Sequence, residues 1–194
     1  ASGLALSPTH SGVIWTLNDS GNAPVLYAVD RRGVTAGTVR LSGVPNQDWE
    51  AVAAWRDGAG QALLAVADIG DNGARRAEIE IDLLREPARL GRLRTPPLRR
   101  IRLRYPDGAA DAEALLVDPR SQRMFVVTKG LLRARILAVP AAVYPGTASG
   151  VATLEPVGAI GLQLATDGTV LPSGAVLVRS YGALMLLAPL LDPG

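Results

Sequence analysis

Seven short polar clusters border the apolar runs of this 194-residue chain. Three precede an aliphatic run: Gln47-Asp48-Trp49-Glu50, Asp111-Ala112-Glu113 and Thr166-Asp167-Gly168. Four follow one: Asn18-Asp19-Ser20-Gly21, Asp68-Ile69-Gly70-Asp71-Asn72-Gly73, Thr128-Lys129-Gly130 and Arg179-Ser180-Tyr181-Gly182. Their side chains point to three kinds of chemistry. Asp19, Asp48, Asp68, Asp71 and Asn72 are hard oxygen donors, the type that a Ca2+ ion collects. Glu50 and Glu113 are paired carboxylates suited to acid/base hydrolysis. Lys129 and Arg179 would meet the oxygens of an anionic ligand, with Asn18, Asp167 and Tyr181 completing the binding set. The competing reading is local: Asp or Asn before Gly is ordinary turn chemistry, bonding its own backbone.

Other chemistries are excluded by what the chain lacks. There is no Cys, which removes disulfides, Cys-ligated zinc, iron–sulfur clusters and thiol nucleophiles. The one histidine, His10, cannot form a His pair for zinc, and no Gly-x-Ser-x-Gly elbow stands ready for a serine triad. No P-loop or dinucleotide fingerprint is present. The pI of about 9.4 is not a nucleic-acid signal, because a net charge of only +2 suffices where almost nothing titrates between the carboxylates and tyrosine.

The clusters must be positioned by short elements. Gly and Pro total 21 + 14 = 35 residues, so the chain turns often and long helices fit poorly. A hairpin pattern recurs, with apolar flanks around Ser-, Pro-, Asp- or Gly-rich turns at residues 7–12, 56–60, 118–122 and 172–174. First strands begin near residues 3, 50, 113 and 167. A third strand follows each hairpin, at 24–29, 78–83, 135–139 and 184–187, and a fourth in three units, at 38–41, 99–104 and 151–154. Repeats of this size are four-stranded antiparallel blades of an all-β β-propeller. The chain reads as a single domain, 1–194, with blades at about 3–43, 48–104, 111–160 and 166–190. A two-sheet β-sandwich is the alternative use of the same hairpins. Four blades lacking one strand make a short arc with apolar end faces, so further blades outside this stretch are expected. In a blade, the start of the first strand and the end of the second share one face of the disc. All seven clusters should therefore meet at one mouth of the channel.

Two further features are independent of that mouth. Residues 84–98 form a Pro- and Arg-rich insertion in the second unit, and Arg85, Arg89, Arg92, Arg94, Arg99, Arg100, Arg102 and Arg104 fall close together. Alternate arginines read first as a solvated outer strand that resists edge pairing. The second reading is a protein partner with an acidic surface. Nucleic acid is not expected, since only Tyr105 is near to supply stacking. No apolar stretch is long enough to span a membrane as a helix.

The order Trp15-Thr16-Leu17-Asn18-Asp19-Ser20-Gly21, Asp48-Trp49-Glu50-Ala51, Ala67-Asp68-Ile69-Gly70-Asp71-Asn72, Asp111-Ala112-Glu113-Ala114-Leu115 and Thr166-Asp167-Gly168 resembles a family of bacterial secreted β-propeller proteins described as phytase-like or esterase-like. The resemblance implies a propeller fold, export to the cell envelope or beyond, and Ca2+ clustered at one propeller face to bind phosphate. A phosphoester hydrolase follows from it. A non-catalytic protein-interaction scaffold is the alternative function.

Overall fold

The alternating runs all become strands. The computed structural model describes residues 2–144 and 150–190, and the one helical segment among them is a 3-10 turn at Ala141–Val143. None of their helices is long and apolar enough to cross a membrane. The first sheet contains β1 (Ser2–Leu6), β2 (Ile14–Leu17), β3 (Val25–Val29) and β4 (Thr35–Leu41), antiparallel in chain order. The second contains β5 (Trp49–Arg56), β6 (Ala62–Asp68), β7 (Ile79–Arg85) and, after β8 (Arg92–Thr95) has left the sheet, β9 (Arg99–Arg104). The third contains β10 (Ala112–Val117), β11 (Met124–Thr128), β12 (Ala134–Ala138) and, after β13 (Val151–Thr153), β14 (Glu155–Ile160). The fourth contains β15 (Ala165–Val170), β16 (Val176–Ser180) and β17 (Leu184–Leu187). The innermost strands β1, β5, β10 and β15 pack side by side around a common axis. This is a four-bladed β-propeller, not a two-sheet sandwich.

Two strands depart from the pattern read in the sequence. Val151–Thr153 does not end the third blade; it runs parallel to β9, with Ala152 opposite Leu103, and so becomes a fifth strand of the second blade. The insertion at 84–98 behaves the same way, its β8 running parallel to β4 on the first blade. Each of these two blades is thus fastened by a strand lent from the next. The fourth strand of the third blade is β14, whose Glu-Pro-Val-Gly stretch is exposed throughout and lacks alternation. Pro156 is tolerated there because β14 is an outer edge with no further ladder partner to feed.

Apolar layers between successive blades hold the disc together. Trp15, Leu17, Leu26 and Leu41 pack on Val52, Leu64 and Val66 between the first two blades. Ile79, Ile81, Leu103, Leu115, Val126 and Leu154 fill the next layer, and Leu116, Phe125, Val176 and Val178 the last. Each fully buried side chain of this size is worth about 1.5–3 kcal/mol relative to exposure. The hairpin turns away from the polar clusters are self-bracing: the Asp57 carboxylate takes the Ala59 and Gln61 N–H groups at 2.9 and 2.8 Å. His10 lies on that same far side, its Nε2 2.8 Å from the Pro87 carbonyl.

Candidate functional site

One irregularity recurs in all four blades. The first strand slips register near its start, between Ser2 and Leu4, Trp49 and Ala51, Ala112 and Ala114, and Ala165 and Asp167. The extra residues are Gly3, Glu50, Glu113 and Thr166. A bulge leaves its extra residue unpaired and re-aims the side chain. All four bulged residues line a single cavity of about 210 Å³, shared with Asp19, Asn72, Lys129, Arg179 and Tyr181. The repeated bulge is thus the device that turns one residue of each blade into the channel mouth. Gly3 is required at its position. Its φ is +63°, and a Cβ would meet the Val52 nitrogen at 2.7 Å.

Acidic groups concentrate on one wall. Oxygens of Asp19, Asp48 and Glu50 all lie within 4.8 Å of one another. Glu50 is only 4 % exposed and, among the described residues, its carboxylate has no salt bridge. Burial pushes it up to about 8, helped by Glu113, Asp19 and Asp48 and opposed weakly by the Ser2 hydroxyl. Asp48 is pushed up to about 6, again by burial first and by Asp19 second. Its Oδ1 is buried without a partner. The chain makes room here: a Cβ on Gly70 would meet the Asp48 Cγ at 2.5 Å and the Glu50 Cγ at 2.9 Å. Asn46 holds the wall in place, donating to the Asn18 and Asp19 carbonyls at 3.1 Å and accepting the Trp49 N–H at 3.0 Å.

Asp68 and Asp71 are occupied otherwise. Asp68 accepts the Gln47 and Asp48 N–H groups at 2.9 and 3.0 Å and pairs with Arg76 at 2.6 Å. Asp71 accepts the Arg75 and Arg76 N–H groups at 2.6 Å, while its own N–H donates to Asp111 at 2.7 Å. Both brace the loops that carry the site, and neither carboxylate belongs to the cluster around Glu50. Asn72 does reach the cavity, whereas Asn18 contributes its backbone carbonyl to the Asn46 contact.

The facing wall is cationic and aromatic. Lys129 Nζ pairs with the Glu113 carboxylate and sits 5.8 Å from the centre of the Tyr181 ring. Burial raises Glu113, and Lys129 works against it. Burial also opposes the charge on Lys129, but Glu113 outweighs it and holds the ammonium above its ordinary range. Arg179, opposite Asp167 in the β15–β16 ladder, has no ion pair among the described residues. Asp167 stands one residue past the bulge and accepts the Leu4 and Gly168 N–H groups at 3.2 and 2.8 Å. Below the mouth the channel becomes apolar, widening to a cavity of about 300 Å³ lined by Leu4, Leu6, Val52, Leu115 and Val170.

Arg76 and Asn46 did not stand out in the sequence, and Gly70 did so only as a member of the Asp68–Gly73 cluster. Their only signal was membership of the loop before β5, for Asn46, and of the loop after β6, for Gly70 and Arg76.

No protein-family model matches the chain, and no curated protein does. Among solved structures, it is similar to Kuenenia stuttgartiensis hydrazine synthase, with 10 % identity, a TM-score of 0.54, and coverage of 98 % of this chain and 72 % of that one. It is also similar to the Myceliophteria thermophila Cps50 (Swd1) β-propeller domain, with 13 % identity and a TM-score of 0.51 over 100 % of this chain and 53 % of that domain's chain. The chain thus spans about half the length of that propeller. At these identities the likeness establishes the β-propeller fold and nothing beyond it.

Proposed function

We propose that the channel mouth binds a divalent cation of the Ca2+ type through Asp19, Asp48 and Glu50, and an anionic small ligand through Lys129 and Arg179. The observation that carries this reading is Glu50: a buried carboxylate, turned into the cavity by a bulge, beside two other acids and with no cationic partner, only the Ser2 hydroxyl favouring its charge. An uncompensated buried carboxylate is costly, and a cation removes the cost. The donor set is all hard oxygen, as Ca2+ prefers, and its remaining six-to-eight-coordinate shell would be filled by carbonyls, waters and the ligand itself. Bound Ca2+ would polarise a phosphoryl oxygen. Lys129 and Arg179 would hold the remaining ligand oxygens against the cationic wall. Phosphoester hydrolysis rests on the resemblance to phytase-like propellers. That family relationship, export to the envelope and Ca2+ as cofactor are all proposals here.

Calorimetric titration of the metal-free chain with calcium chloride tests the site. Saturable binding that disappears in Glu50→Gln is expected; absence of binding overturns the reading. A screen of phosphoester substrates, with calcium and with chelator, then separates an enzyme from a binding domain. Calcium binding without turnover would leave the scaffold function, with the ion as structural support.

A further inference from the structure

The acidic strand β7 and the basic strand β9 are neighbours in the second blade. Their register places Glu80 opposite Arg102 and Asp82 opposite Arg100, with Ile81 opposite Ile101 between them. Arg100 pairs with Asp82 at 3.1 Å and Arg102 approaches Glu78 at 3.7 Å. The arginines of β9 are thus answered by carboxylates at alternate positions, and the apolar residues between them pack together.

The first blade carries the same basic alternation without the answer. Arg92-Leu93-Arg94 on β8 repeats the Arg100-Ile101-Arg102 pattern. Across the parallel β4–β8 ladder, Arg94 stands opposite another arginine, Arg40. Like charges directly opposite are destabilising. None of Arg40, Arg92 and Arg94 has an ion pair or side-chain hydrogen bond among the described residues, and all three are exposed. Protection of a sheet edge accounts for arginine on β8, but not for Arg40, because β4 lies inside the sheet.

The edge itself is open. β8 ends its sheet, and the Gly91 and Thr95 carbonyls accept the Thr38 and Ser42 N–H groups of the β4 side at 2.7 and 2.9 Å. Strand alternation then turns the N–H and C=O groups of Arg92 and Arg94 outward. Leu93, whose neighbour Val39 is buried, remains 40 % exposed at the margin of the apolar layer.

We propose that β8 is a docking edge for an extended acidic segment of a protein partner, which adds as a further strand with carboxylates at alternate positions facing Arg92 and Arg94 and an apolar residue covering Leu93. The chain's own β7 supplies the template: Glu80-Ile81-Asp82, acid-apolar-acid, is what stands opposite Arg100-Ile101-Arg102 in the neighbouring blade. Backbone pairing would supply affinity, and the two arginines the choice of partner.

The probe is a fluorescent synthetic peptide with the sequence of residues 77–84, titrated into the full chain at low salt. Saturable binding is expected, with slowed exchange of the Arg92 and Arg94 amides in the complex. Arg92→Ser with Arg94→Ser should weaken binding by about tenfold or more, as truncating charge partners does. Arg85→Ser, away from the edge strand, should leave it unchanged. Neither variant should lower the melting temperature, since the residues are exposed and unpaired, and loss of Arg94 relieves its repulsion with Arg40. No binding, binding indifferent to the double substitution, or no change in exchange at β8 each overturns the proposal. Equal binding of a peptide with the same residues shuffled so that the carboxylates are contiguous, or of inorganic polyphosphate, also overturns it, leaving only a general polyanion surface.

Discussion

The carboxylate of Asp167 accepts the backbone N–H of Leu4 at 3.2 Å, joining the innermost strand of the fourth blade to that of the first. Burial pushes Asp167 up to about 6, against the two N–H groups that favour its charged form. The folded chain therefore holds this proton more tightly than the unfolded chain, whose Asp titrates near 3.9. Its contribution to stability is full below about pH 4 and lost as pH rises through about 6. Asp167→Asn keeps an acceptor without the charge. It should raise the melting temperature at pH 8 by about 2–4 °C, the response to about 1 kcal/mol in a domain of this size. At pH 4 it should change nothing. Asp167→Ala loses both bonds and should lower the melting temperature at both pH values.

Calcium should separate ligands from braces. Saturating calcium stabilises a folded state that alone binds it, by about 2.7 kcal/mol at a hundredfold excess over Kd. That is roughly 5–11 °C in melting temperature. Asp48→Asn and Glu50→Gln should abolish the rise while melting near or above the metal-free parent. Asp68→Asn should instead melt lower with or without calcium, because Arg76 and two N–H groups lose their charged partner. A calcium shift that survives Glu50→Gln would place the ion elsewhere.

Much of the fold was legible because blade strands carry their own pattern. The runs at residues 51–55 and 62–66, for example, are apolar on both faces and bounded by polar or turn residues. The lent strands were not legible: Val151–Thr153 looks like any short strand, and nothing local says whether it pairs within its own blade or with the one before. Glu50 and Glu113 could be placed at the mouth by analogy of position. The bulge that equates them with Gly3 and Thr166, rather than with Asp167, is a register event between strands and leaves no residue signature. Asp68 and Asp71 show the opposite limit. Their type suits a metal, but backbone N–H groups claim them first, those of Arg75 and Arg76 just after Asp71 and those of Gln47 and Asp48, on the preceding loop, for Asp68.

Gly70→Ala tests whether the acidic wall needs the space beneath it. The added Cβ would press on the Asp48 and Glu50 side chains at 2.5 and 2.9 Å. These are side-chain contacts at a cavity, so the domain should fold, with an overpacking cost of about 1–3 kcal/mol. Calcium affinity should fall by about tenfold or more, since ligand positions over this short range determine coordination. Unchanged affinity would show that the two carboxylates bind from positions other than those in the folded chain described here.

Lys129→Met removes the cation that answers Glu113. Methionine keeps most of the stem that packs beside Tyr181, so the loss is chiefly charge. Glu113 is then a buried carboxylate facing Glu50 without compensation. Orphaning a buried charge partner costs about 3–5 kcal/mol in closed sites, and less at this open mouth, about 1–3 kcal/mol. The penalty falls on the ionised form of Glu113, whose proton affinity is already raised by burial. Without Lys129 it rises further, so the stability deficit should be large at pH 8 and shrink towards pH 5, where the folded state can take up the proton. Adding Glu113→Gln should restore most of the melting temperature at pH 8, a coupling that a double-mutant cycle reads directly. Anion binding should not return with it, because Arg179 alone remains on that wall. A deficit equal at both pH values would mean that Lys129 acts through packing, and the charge pair would lose its place in the site.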